Sequence, residues 1–72
     1  MGPDKAVTVE ATVIEELPSR MFRVRRSTGQ DVLAHLTGKL RNYRLLVDDN
    51  VEVELSPYDP TRGRIIRVKK GS

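Results

Sequence analysis

Cysteine is absent from the 72 residues. Neither a disulfide nor a thiolate metal site can therefore reinforce a chain that lies near the lower size limit for an unaided hydrophobic core. Tryptophan is absent as well, and one phenylalanine and two tyrosines are the only aromatics. That is too few for a nucleic-acid platform built on rows of stacked rings. The single histidine, His35, has no cysteine and no Gly-x-Ser-x-Gly elbow to work with, so nucleophilic catalysis lacks its parts. "TGQD" and "TRGR" are too short to be glycine-rich phosphate loops. Hence no enzyme activity, no cofactor and no metal are expected. No apolar run approaches membrane-spanning length, and "MGPDKAVTVE" has no hydrophobic centre of the signal-peptide kind. Ala6 stands where an N-myristoylation pattern needs Ser or Thr. A soluble, cytoplasmic monomer with no membrane partner is the expectation.

Acid is also missing, locally. The net charge is only +3, but the pI of about 9.7 is in the range of nucleic-acid-binding domains. Arg20, Arg23, Arg25 and Arg26 form one acid-free cluster. Lys39, Arg41 and Arg44 fall in the gap between Asp31 and Asp48, and Arg62, Arg64, Arg67, Lys69 and Lys70 come after the last acid, Asp59. Positive potential gathered on part of a small surface is the footprint of a polyanion partner. With few rings available, the expected mode is recognition of the backbone and shape of folded RNA.

What the chain has in quantity is period-two alternation, the mark of strands that bury one face. "VTVEATVIEEL" sets Val7, Val9, Ala11 and Val13 on one side and breaks at Leu17-Pro18-Ser19. "MFRVRR" alternates Phe22 and Val24 with Arg23 and Arg25, "DVLAHL" sets Val32, Ala34 and Leu36 against Leu33 and His35, and "VEVEL" sets Val51, Val53 and Leu55 against Glu52 and Glu54. "GRIIRV" is less regular, with Ile65 and Ile66 adjacent, but its β-branched residues support a strand. "STGQ" supplies a hairpin turn, and "SPYDPTRG" has turn chemistry throughout.

Five short strands with a longer insert between the third and fourth predict an all-β, five-stranded Greek-key barrel of the OB-fold type. It would form a single domain over residues 1–72, with 1–5 and 69–72 frayed. An SH3-like barrel is the competitor, and the position of the insert favours OB. In the insert, Thr37 would cap a helix of a turn or two, with Leu36, Leu40, Tyr43 and Val47 on one side. The leucines would seal the barrel end while cations face outward. His35 would be either a half-buried polar residue between barrel and insert or an RNA contact. Arg62 and Arg64, flanking Gly63, would leave the surface on the same side as a clamp. Tyr58 would lie over the barrel end.

"LPSRMFRV", "HLTGKLRNYRLL" and "VEVELSPYDPTRGRI" occur in an order and spacing that resemble the bacterial translation initiation factor one family, over about Val9 to Ile66. The resemblance implies a factor that binds the aminoacyl site of the small ribosomal subunit through 16S rRNA, beside a neighbouring ribosomal protein. It would block that site, flip two decoding adenines and cooperate with the other initiation factors. It further implies RNA contacts for Lys39, Arg41, Tyr43 and Arg44 in the insert, for Arg62, Gly63 and Arg64, for His35, and for Arg23. Where the family reads like "GKMRKNYIRILTGDKV", this chain has "GKLRNYRLLVDDNV", two residues shorter. On a helix of 3.6 residues per turn that rotates the residues beyond the gap by about 200°, so the insert must re-pack. A general single-stranded RNA chaperone of cold-shock type is the alternative function.

Overall fold

The computed structural model describes residues 7–36, 38–40 and 42–69, with only the backbone of Lys39. Alternating apolar residues produce the five strands: β1 (Val7–Leu17), β2 (Met21–Arg26), β3 (Asp31–Leu36), β4 (Asn50–Leu55) and β5 (Arg62–Lys69). They close into a barrel in the order β1-β2-β3-β5-β4. β3 and β5 run parallel, and the other neighbours run antiparallel. Closure removes exposed sheet edges and gives the inward residues one shared interior. Val13, Val24, Val32, Val51, Val53 and Ile65 are its most completely buried large side chains.

The irregular spots in the sequence are where the barrel curls. In the β1–β2 pair, Val13 faces Val24 and Glu15 faces Arg23, leaving Ile14 as an extra residue. In the β4–β5 pair, Glu52 faces Arg67 and Val53 faces Ile65, leaving Ile66 extra. Each adjacent apolar pair, Val13-Ile14 and Ile65-Ile66, is thus a β-bulge, which bends its strand and strengthens the local twist. The second bulge is also why Ile66 and Arg67 are both exposed before Val68 turns back against the core.

Turns obey local chemistry. Gly29 takes a positive φ of 94° in the β2–β3 hairpin, as the glycine of "STGQ" predicts. At the β1–β2 turn, Ser19 and Arg20 both have positive φ, 64° and 61°, and the Met21 N–H donates to the Pro18 carbonyl at 3.3 Å. Two consecutive left-handed residues make a type I′ arrangement, here without the glycine that normally relieves it.

Lys69 is the last residue of β5, opposite Asn50; residues 1–5 and 70–72 lie outside the described residues. Two expectations need correction. The insert holds one three-residue 3-10 turn, Gly38–Leu40, and no α-helix among the described residues; Thr37, the expected cap, lies outside them. The plug of the barrel end includes Leu45, 4% exposed, and not Val47, 51% exposed. Leu36 is buried as expected, and Leu40 and Tyr43 pack partly buried against the core. No helix among the described residues is long and apolar enough to cross a membrane.

Candidate nucleic-acid interface

The parallel β3–β5 register is what assembles the site. It sets Leu33 beside Arg62, Ala34 beside Gly63 and His35 beside Arg64. In turn β2 sets Met21 beside His35 and Arg23 beside Leu33, and β4 sets Glu54 beside Arg64. Side chains of paired residues share a face. The outer wall therefore carries one row of Met21, His35, Arg64 and Glu54, and a second of Arg23, Leu33 and Arg62. Between them and the β4–β5 loop lies an open groove of about 390 Å³ lined by Met21, Leu33, His35, Glu54, Pro57, Arg62, Gly63 and Arg64 among others.

Four sequence-predicted residues, His35, Arg62, Gly63 and Arg64, therefore meet at one groove, with Arg23 one position along the adjacent row. His35 is exposed, so the half-buried alternative for it is corrected. Tyr43 and Arg44 are elsewhere. They line a separate hollow with Arg20, Phe22, Leu36 and Leu45. The side chain of Lys39, and Arg41 altogether, lie outside the described residues.

The β4–β5 loop is wired from within. Asp59 Oδ1 accepts from the Thr61 hydroxyl at 2.6 Å and from the Thr61 N–H at 3.0 Å. The Arg62 N–H closes a turn onto the Asp59 carbonyl at 3.0 Å, and the Arg62 guanidinium lies 3.6 Å from the Asp59 carboxylate. These donors, Thr61 first, hold the Asp59 carboxyl below the usual aspartate range. The loop projects Tyr58 into solvent, 93% exposed; it does not lie over the barrel end.

Charge is distributed differently in space than along the chain. Arg23 pairs with Glu15 at 3.1 Å, Arg25 with Asp31 at 2.7 Å, Arg64 with Glu54 at 2.7 Å and Arg67 with Glu52 at 3.5 Å. Lys69 pairs with Glu10. The acid-free clusters of the sequence become rows of alternating sign, since strands rich in acid pair with strands rich in arginine. Arg26 instead donates to the Gln30 side-chain oxygen at 2.9 Å.

Residues that sequence reasoning passed over complete the groove. Met21, Leu33 and Pro57 give it an apolar floor, and Glu54 gives it a carboxylate. Leu33 carried a signal, being the one large apolar residue on the polar side of its strand. Chemically, the wall offers guanidinium forks for phosphate oxygens beside a surface suited to a sugar or base edge. Among the described residues no cluster of His, Asp and Glu could hold a metal ion.

Known proteins resemble this chain in sequence and fold. Residues 2–71 match the family model described as translation initiation factor 1A / IF-1. The chain is similar to the solution structure of translation initiation factor one from the Wolbachia endosymbiont strain TRS of Brugia malayi, with 36% identity and a TM-score of 0.72 over 99% of this chain and 90% of that one. It is also similar to part of the crystal structure of YjeQ from Thermotoga maritima, with 28% identity and a TM-score of 0.72 over 89% of this chain but only 23% of that one.

Proposed function

Because the chain belongs to the translation initiation factor 1A / IF-1 family, we propose that its part in translation initiation is to bind the aminoacyl site of the small ribosomal subunit through 16S rRNA. It would act without catalysis, by filling the site beside a neighbouring ribosomal protein and stabilising a deformed RNA, together with the other initiation factors. The observation that carries this reading is the convergence of Arg62, Gly63, Arg64 and His35 on one groove, with Arg23 in the adjacent row. Lys39, Arg41, Tyr43 and Arg44 of the insert would form a second set of contacts. The cold-shock alternative fares worse, since Phe22 is buried, Tyr43 is half-buried and Tyr58 is the one ring standing fully in solvent among the described residues.

Co-sedimentation with small subunits across a salt series, with footprinting of the decoding helix, tests the reading. Arg64→Ala should weaken binding and lower the log-log salt slope by about one unit, and Lys39→Ala should do the same. Unchanged affinity and slope in both variants, or protection of RNA far from the decoding helix, would remove the proposal.

A further inference from the structure

Within the folded chain the groove's arginines already hold anions. Arg64 Nε donates to Glu54 Oε1 at 2.7 Å, and the Glu54 side chain is only 24% exposed. The two residues are directly opposed in the β4–β5 ladder, so strand register holds them together without relying on the reach of long side chains. Arg62 lies against Asp59 in the same way, through the loop. A carboxylate oxygen and a phosphate oxygen compete for the same guanidinium fork.

We propose that Glu54 is a specificity residue, an internal anion that occupies Arg64 until a fitting RNA displaces it. The inference rests on the RNA-binding reading above. An arbitrary polyanion can offer Arg64 only a phosphate, and it must then sit beside the displaced, half-buried carboxylate, which repels it. An RNA shaped to the groove also engages Arg62, His35 and the apolar floor, and so can hold a ribose hydroxyl or base amino group against the freed carboxylate, which offsets the repulsion. The carboxylate thus penalises the wrong partner more than the right one. Meanwhile the pair keeps the guanidinium oriented into the groove.

A matched control exists on the same strand. Glu52 pairs with Arg67 at 3.5 Å, its side chain is 28% exposed, and it is not among the groove's lining residues. Glu54→Gln and Glu52→Gln therefore change net charge equally and differ in place. Binding of poly(U) and of purified small ribosomal subunits would be measured for both across a potassium chloride series. Glu54→Gln should bind poly(U) about fivefold more tightly at low salt, the scale of one exposed ion pair, with a steeper salt slope. Glu52→Gln should gain about twofold or less. The small-subunit affinity of Glu54→Gln should rise by a smaller factor than its poly(U) affinity, and equal factors for the two partners would overturn the specificity role. Equal gains in the two variants would reduce the effect to net charge and overturn the proposal. So would unchanged poly(U) binding, or weaker binding to both partners, by Glu54→Gln. Should Glu54→Gln unfold, Glu54→Thr, which also removes the carboxylate and is a good strand former, must shift poly(U) binding in the same direction. Failure of the wild-type chain to bind small subunits would remove the proposed function, while the poly(U) comparison would still decide the role of Glu54.

Discussion

Gly63 shows how closely binding and packing are set at one position. The resemblance places it among RNA contacts, yet its own surroundings require glycine. A Cβ there would stand 2.5 Å from the Glu54 carbonyl oxygen and 2.8 Å from Val53 Cγ1. The first is backbone of a paired strand and cannot swing aside. Gly63→Ala should therefore lower stability by about 1–3 kcal/mol, the usual cost of overpacking, read as a lower urea midpoint at unchanged slope. A midpoint equal to wild type would show that β4 and β5 can part locally at no cost. Nothing in "TRGRI" announces this, because the crowding comes from a strand about ten residues away in sequence. Tyr58 teaches the converse: its exposure depends on Asp59 and Thr61 closing the loop beneath it, which the turn residues suggested but did not orient.

At the scale of elements, the insert is where local pattern misled. Helical spacing selects Leu36, Leu40, Tyr43 and Val47, but helical geometry stops after the turn at Gly38–Leu40. Thereafter tertiary hydrogen bonds set the path. The Asp48 N–H donates to the Val13 carbonyl at 2.8 Å and the Val13 N–H to the Asp49 carbonyl at 2.9 Å. Asp48 accepts a positive φ of 81° to do so. This clamp turns Leu45 inward and leaves Leu46 and Val47 outside. Leu45→Ala should cost about 2–4 kcal/mol, whereas Val47→Ala should stay within about 0.5 kcal/mol, both by chemical denaturation. The reverse ranking would restore the helical reading. Strands fared better because alternation reports burial directly, and the irregular Ile65-Ile66 pair marked a bulge.

For the whole molecule, surface carboxylates held by ion pairs or hydrogen bonds make stability depend on acid. Glu10 is held below its ordinary pKa by the Lys69 hydrogen bond, Asp31 by that of Arg25, and Asp59 by Thr61. A depressed carboxylate contributes stability that is fully present above its unfolded value, about 3.9 for Asp and 4.3 for Glu. That contribution is lost as pH falls through the lower folded value. The urea midpoint should accordingly be level above about pH 5 and fall below about pH 4. The double variant Asp31→Asn/Asp59→Asn should show a shallower fall. An equally steep fall in that variant would place the acid sensitivity elsewhere.

The strands, the turns between them and the small closed barrel were all legible in the order of amino acids. They rest on properties carried within a few residues: the period of side chains along an extended backbone and the φ preferences of glycine and proline. Which cation meets which acid was a matter for the folded chain. Folding placed His35 beside Arg64 and Leu33 beside Arg62 to floor the groove, and turned Leu45 rather than Val47 into the core. Those outcomes depend on register between strands far apart in the chain, and register is set by simultaneous burial around the whole barrel, which no local window contains.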